Sequence, residues 1–121
     1  MSLKSLNSAG VSDLLEAAAL LLRNRGLAKG VRINPEDGSV DLIAALAIAA
    51  GATEHDLMSS MAISDFRMIP VNEARFMASY DVLDAMLFED PEEWADKQDV
   101  TVKEVAALMS MAAWRLKIAI T

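Results

Sequence analysis

The stretch Val100-Thr101-Val102-Lys103-Glu104-Val105 decides the fold, because it opens the last helix of the chain. Thr101 and Glu104 have the spacing of a capping box, in which the threonine hydroxyl accepts from the glutamate backbone N–H and the glutamate carboxylate reaches back to the threonine N–H. Val100 and Val105 occupy the two positions of a hydrophobic staple. The pattern predicts a long helix over residues 102–119.

The predicted last helix carries two apolar stripes. At helical spacing, one face consists of Val105, Leu108, Met109, Ala112, Leu116 and Ala119. A second stripe, nearly opposite the first, consists of Ala107, Met111, Trp114 and Ile118. A helix at the edge of a domain needs only one apolar face. The second stripe therefore either packs inside the monomer or meets another copy of the chain.

Two other predicted helices are apolar nearly all round and must themselves be covered. The first spans residues 13–25, and the second, which Asp41 caps, spans residues 42–50. Covering both leaves few elements in a chain of 121 residues to cover the second stripe. We therefore expect a symmetric homodimer in which Trp114 and Met111 face their counterparts.

The sequence predicts one mainly α-helical domain. Residues 1–10 are expected to form a flexible leader, with the first helix starting at Ser12 or Asp13. Residues 11–121 are expected to form a single compact domain of five or six helices. Alternating apolar residues and an Asp-Gly turn within residues 31–40 predict a short β-hairpin or an extended loop.

Three further helical segments lie between the apolar helices. They run from a cap at Thr53 to about Met61, from a cap at Asn72 to about Phe88, and from Asp90-Pro91 over one turn that carries Trp94. The conformation of residues 62–70 stays open, because Pro70 disfavours helix at the residue before it.

Composition sets limits on compartment and partners. Hydrophobic residues make up 54% and charged residues 24%, a balance that excludes disorder. The formal net charge of −7 argues against direct binding of nucleic acid. The chain has no cysteine, its longest uncharged apolar runs are far shorter than a membrane span, and its N-terminus lacks the apolar core of a signal peptide. We therefore expect a cytoplasmic protein with no membrane partner.

Few residues suggest chemistry. His55 is the sole histidine, and one histidine without any cysteine is a poor basis for a metal site. The acidic cluster between Glu89 and Asp99 is interpreted as solvated helix caps rather than as a site for a cation or a basic partner. Motifs for nucleophiles, phosphate loops and zinc proteases are absent from the sequence. We predict no catalytic residue, no metal and no cofactor, and we expect that the protein is not an enzyme.

The chain also carries a family resemblance. The residues that match are Trp94, Asp96, Thr101, Glu104 and Val105, preceded by Arg25-Gly26, Asp37-Gly38, Val40 and Ala45-Leu46. On these residues the sequence resembles a family of small proteins of unknown function from actinobacteria and their phages. It departs from the family's pattern at Leu27, Ala95 and Asp41, where Trp, Asn and Cys are common. The resemblance implies a compact helical domain with a hairpin, and it implies no activity.

The family-like residues Trp94 and Asp96 are interpreted as structural. Trp94 is expected to be mostly buried between the last two helices, because tryptophan buries a large area wherever it lies. Asp96 is expected to tie down the loop that follows it. Thr101 and Glu104 are the family-like residues of the capping box.

The sequence favours a small accessory module that binds protein through an apolar helical surface. Ala107, Met111, Trp114 and Ile118 are the predicted interface. One alternative is an acidic inhibitor that covers a basic, nucleic-acid-binding site of a host protein, and strong salt dependence of binding would distinguish it. Another is a small-molecule binder with a pocket near Trp94, which a ligand-induced rise in melting temperature would reveal.

Overall fold

The computed structural model describes residues 3–59 and 70–119. The helices in these ranges are α1 (Leu3–Arg25), α2 (Leu42–Ala49), α3 (Glu54–Ser59), α4 (Pro70–Met86), α5 (Pro91–Asp96) and α6 (Val102–Ala119). The prediction of a mainly helical protein is confirmed.

Helix α1 is the centre of the fold, and α2, α4 and α6 all pack against it. Leu15, Ala18 and Leu22 of α1 are fully buried. Ala106 and Ala113 of α6 are fully buried as well. Because alanine side chains are short, such residues let the backbones of neighbouring helices approach closely. Among the described helices, α1 and α6 pack against each other most extensively.

The start of α1 corrects one prediction. Residues 3–10 are helical, so the first helix begins well before Ser12 or Asp13, and the predicted leader is part of it. Ser12 does not cap a helix. It lies in the core with 1% of its surface exposed, and its hydroxyl donates to the carbonyl oxygen of Ala113 at 3.0 Å. A small polar residue with a buried partner has the same sequence signature as an N-cap, which explains the error.

Helix α2 follows its predicted course. The Asp41 carboxylate accepts from the backbone N–H of Ala44 at 2.7 Å and caps the helix. Residues 42–47 are all buried, as expected for a helix without polar side chains. The helix is closed by Gly51, which has a φ of +109°, a backbone conformation that glycine adopts without strain.

The predicted β-hairpin near residues 31–40 is not confirmed. Within residues 26–41 the pairing consists of two isolated bridges, Leu27 with Val40 and Ile33 with Val40. Val40 therefore lies between two other segments of chain, and its amide donates to the carbonyl of Gly26 at 3.1 Å. Because both bridges use the same residue, the segment forms a compact double loop. We call residues 26–41 the clasp segment.

The bounds of α4 differ from prediction. Helix α3 is described as far as Ser59, and the predicted end near Met61 and the open segment 62–70 fall largely on residues 60–69, outside the described chain. Helix α4 is described from Pro70 onward, so the predicted cap Asn72 lies inside the helix. It ends at Met86 rather than at about Phe88.

Helix α6 begins where the capping box places it. The Thr101 hydroxyl oxygen accepts from the backbone N–H of Glu104 at 3.2 Å, as predicted. The return bond differs, because the Glu104 carboxylate accepts from the Thr101 hydroxyl at 3.2 Å instead of reaching the threonine N–H. Val100 and Val105 are both buried, which agrees with the staple.

Candidate protein-interaction surface

The seam between α1 and α6 is marked by two polar contacts at the protein surface. Lys117 Nζ donates to Glu16 Oε1 at 2.6 Å, and Arg23 NH2 donates to Ser110 Oγ at 3.0 Å. Arg23 follows Glu16 in α1, whereas its partner Ser110 precedes Lys117 in α6. The two helices therefore run antiparallel along this seam.

Two apolar residues, Leu20 and Trp114, lie between these two contacts. Leu20 lies between Glu16 and Arg23 at helical spacing, and Trp114 lies between Ser110 and Lys117 in the same way. Leu20 and Trp114 therefore lie at the same level of the seam, one on each helix. The sequence prediction placed only α6 residues in an interface and missed Leu20, which belongs to the uninterrupted apolar run in the middle of α1.

The side chains around this pair are exposed. The exposed fraction is 60% for Trp114, 56% for Leu20, 52% for Ile118 and 50% for Met111. Ala107 is exposed as well. We call these five residues the α1–α6 surface. The structure thus leaves the second stripe of α6 uncovered within the described chain, and one of its two predicted explanations, packing inside the monomer, does not hold there.

The α1–α6 surface combines exposed apolar side chains from two helices that pack against each other. Scattered apolar residues are common on protein surfaces, whereas contiguous patches of a few hundred Å² mark interaction sites. Trp114 has the largest apolar side chain of this surface, and tryptophan is enriched at the energetic centres of interfaces. Four large apolar side chains on two helices that pack against each other, each at least half exposed, make this surface a candidate for such a patch.

Charge is distributed unevenly along the chain. Between Glu73 and Asp99 there are nine acidic and two basic residues, which account for the whole net charge of −7. Outside this segment, acidic and basic residues are equal in number. The acidic segment forms most of α4, all of α5 and the loops after them, whereas the α1–α6 surface belongs to the neutral part of the chain.

A polar cluster joins the clasp segment to α5. Arg32 NH1 donates to Asp41 Oδ2 at 2.6 Å and to Glu92 Oε1 at 2.7 Å. The Nε atom of Arg32 is buried and has no hydrogen-bond partner within the described part of the chain. Since the two carboxylates share one guanidinium nitrogen, this cluster ties the start of α2 to the first turn of α5.

A lysine makes the second link between the clasp segment and α5. Lys29 Nζ donates to the carbonyl oxygens of Ala95 at 2.6 Å and Val100 at 2.8 Å, and also to that of Lys97. These carbonyls lie at and beyond the C-terminal end of α5, where a cation satisfies otherwise unpaired acceptors. No sequence pattern indicated this contact, because the partners are backbone atoms about 70 residues away.

Burial changes the ionisation of two groups in this region. Desolvation raises the pKa of Asp41 to about 6, although the Ala44 N–H and the Arg32 charge oppose the shift. Burial likewise raises the pKa of Tyr80 above its ordinary range, and the hydrogen bond that its hydroxyl donates to Asp90 adds to the effect. Asp90 itself caps α5 by accepting from the backbone N–H of Glu93 at 3.1 Å, as predicted.

The family-like residues serve the same junction. Trp94 is partly buried and packs against the core, so its expected burial is seen only in part. Asp96 is exposed, and its carboxylate accepts from the backbone N–H of Gly30 at 3.4 Å. Asp96 thus contacts the clasp segment, whereas the prediction had it tie down the loop that follows it. This contact connects regions that are far apart in sequence.

Residues 7–115 match the family of unknown function DUF6197. The chain belongs to this family. No curated protein and no solved structure matches it. The match to DUF6197 covers α2 to α5, most of α1 and α6, and four of the five residues of the α1–α6 surface, and it assigns no activity.

Other features of this DUF6197 chain add little to the site. Among residues 3–59 and 70–119, no three His, Asp or Glu side chains are grouped as metal ligands. His55 is exposed near the start of α3. In the same ranges, no helix has both the length and the apolarity that crossing a bilayer requires.

Proposed function

We propose that this protein is a small, non-catalytic accessory module that acts by binding protein through the α1–α6 surface. The observation that carries the proposal is the exposure of Trp114, at 60%, among other half-exposed apolar side chains. Such a patch costs solubility, and on small proteins it is usually kept for binding. A cytoplasmic location and a source in actinobacteria or their phages remain predictions from the sequence.

The chemistry of the surface favours a partner with apolar side chains. Trp114 and Met111 offer large contact areas, and methionine adapts its shape to a neighbour at little cost. The charged residues at the seam, Glu16, Arg23 and Lys117, already have partners within the monomer. Binding here should therefore depend weakly on salt, in contrast to binding through a charged surface.

A photo-crosslinking amino acid tests this proposal in cells. Benzoylphenylalanine in place of Trp114 should give one discrete crosslinked protein product. Phe88 provides a matched control, because it is an aromatic residue, fully exposed, outside the α1–α6 surface. Benzoylphenylalanine at position 88 should not give that product. The proposal fails if position 114 gives no product.

The acidic inhibitor remains a second candidate. Two observations favour it: the concentration of net charge between Glu73 and Asp99, and the exposed Phe88 within that segment. An exposed aromatic residue surrounded by carboxylates suits a basic protein surface with an apolar pocket. A crosslinked product from position 88, absent from position 114 and lost as salt is raised, would favour this candidate over the first.

The small-molecule alternative has no comparable support. Trp94 packs against the core and lies at the polar junction of α5 with the clasp segment. This position supports the structural role that the sequence suggested for Trp94. The expectation that the protein is not an enzyme remains a prediction.

A further inference from the structure

We propose that the α1–α6 surface is covered by a second copy of the same chain, in a two-fold contact between antiparallel α6 helices. The inference rests on the proposed function and specifies its partner. It follows from the spacing of the exposed stripe, from the sizes of its side chains and from the distribution of charge.

The spacing of the exposed stripe is that of a helix–helix seam. Ala107, Met111, Trp114 and Ile118 are separated by four, three and four residues. This alternation is the heptad pattern by which one helix packs its side chains between those of a single neighbouring helix. A flat or irregular partner surface does not require it. The spacing therefore selects a helix as the partner element.

The order of sizes along the stripe makes α6 complementary to itself. In an antiparallel pair centred between Met111 and Trp114, each Met111 lies opposite the second copy's Trp114. Each Ala107 lies opposite the second copy's Ile118. The smallest side chain then faces a branched one, and the largest faces a flexible thioether, an arrangement that fills space well. A stripe with its large residues clustered at one end would not match itself in this way.

The residues on either side of the exposed stripe fit the same arrangement. Leu20 lies beside Trp114 at the seam, so the α1 helix of each copy extends the apolar surface on one side of α6. The nearby charges have both signs, with Glu16 paired to Lys117 and Arg23 bonded to Ser110. A surface of mixed sign suits a copy of itself, whereas a strongly charged partner would select one sign.

Net charge points to the same face. Two copies of a chain with a charge of −7 repel each other unless the contact avoids the acidic segment. That segment lies in α4, in α5 and in the loops after them, and it contributes no residue to the α1–α6 surface. Association through α6 therefore brings together the neutral parts of the two molecules.

The size of the patch sets the expected strength. A stable dimer buries about 800 Å² on each partner, and five side chains with a narrow rim provide less than that. We therefore expect a dimer that dissociates on dilution in the micromolar range. Sedimentation velocity over a series of protein concentrations should show a shift from the monomer mass to twice that mass.

Two substitutions connect the dimer to this surface. Trp114→Glu places a charge at the centre of the contact and should leave a monomer at every concentration. Phe88→Glu makes the same change at an exposed residue outside the surface and should leave the dimer intact. Circular dichroism of both variants checks that the fold is retained. A wild-type chain that stays monomeric up to about 1 mM overturns the proposal, since a dimer that dissociates in the micromolar range is almost fully associated at that concentration.

Cysteine crosslinking tests the register and needs no disruptive change. The natural chain has no cysteine, so there is no background reaction. The double variant Ala107→Cys/Ile118→Cys should form disulfide-linked dimers on mild oxidation. The two positions lie about 16 Å apart along one helix, too far to form a bridge within a monomer. Each single variant should crosslink poorly. Equal crosslinking of the single and double variants overturns the antiparallel register.

The outcomes separate this inference from the proposed function. A monomeric chain whose position 114 still gives a discrete crosslinked product with another protein refutes the second copy and retains the binding surface. A dimer that persists in Trp114→Glu refutes this contact. If Trp114→Glu unfolds, the double-cysteine variant decides the question, because it leaves Trp114 and Met111 in place.

Discussion

The two apolar faces of α6 differ in the size of their residues. The buried face uses mostly small side chains, and Val105, Ala106, Ala112 and Ala113 are each fully buried. The exposed stripe carries large ones, above all Trp114. Small residues suit the buried face because α1 packs against it, whereas large residues on the other face are exposed to solvent in the described chain. Side-chain size therefore differs between the two faces, although each face has one methionine and the exposed stripe also includes Ala107.

A matched pair of methionines should give the largest contrast between the two faces. Met109 is fully buried, whereas Met111 is exposed over 50% of its surface. Met109→Ala should lower the free energy of unfolding by about 2–5 kcal/mol, the range for emptying a buried site. Met111→Ala should change it by about 0.5 kcal/mol or less, as is usual for surface substitutions.

Urea denaturation of both variants measures this difference. It is best done in the Trp114→Glu background, so that dissociation of a dimer does not contribute. Equal midpoints for the two alanine variants would mean that the two faces of α6 are not distinguished as the structure shows.

The sequence predicted much of this fold because the signals are local. The caps at Asp41, Asp90 and Thr101 depend on residues within one helical turn, and all three are present. The start of α1 was missed because Ser12 has a distant partner, Ala113, that no local pattern reveals. The exposed stripe was recognised by its spacing.

Contacts that join distant segments could not be predicted. Lys29 at the end of α5 and Arg32 between two carboxylates depend on where the clasp segment lies in space. The predicted hairpin is not confirmed for the same reason. Val40 pairs with residues on both sides instead of forming one regular ribbon. Leu20 could have been suspected, because it interrupts the polar side of α1, but its level on the seam comes from the antiparallel packing.

The core also contains a charged group, Asp41. Its neighbours do not fully compensate the carboxylate for the loss of water. Its pKa of about 6 in the folded state lies above the ordinary value of 3.8. The folded protein therefore binds a proton more tightly at this site than the unfolded chain does. This contribution to stability is fully present below about pH 4 and is lost as the pH rises through about 6, by at most about 3 kcal/mol.

Asp41→Asn isolates this effect. Asparagine is an equally good N-cap and keeps an acceptor for the Ala44 N–H, but it does not titrate. The free energy of unfolding of the wild type, relative to this variant, should fall between pH 4 and pH 6 and stay level above pH 7. Other carboxylates titrate in both proteins and cancel in the difference. Parallel curves for the two proteins would show that the pKa of Asp41 is not raised.

Alanine-to-leucine substitutions test the size argument directly. Ala113 is fully buried against α1, and Ala107 is exposed on the same helix. Ala113→Leu should destabilise the fold by about 1–3 kcal/mol, because the close approach of the helices leaves no room for a larger side chain. Ala107→Leu should leave the stability of the monomer nearly unchanged. Thermal unfolding of the two variants shows the difference as a lower melting temperature for Ala113→Leu alone.

The capping residues give the smallest expected effect. They test the start of α6, which determines where both of its faces lie. Thr101→Ala removes the hydroxyl that accepts from the Glu104 N–H and should cost about 1 kcal/mol. Glu104→Ala should cost less, because its carboxylate bonds the exposed Thr101 side chain and water can replace that contact. In the double variant the two losses should not add, since both residues belong to one motif. A larger loss for Glu104→Ala than for Thr101→Ala, by urea midpoint, would mean that the glutamate makes the backbone contact of a full capping box in solution.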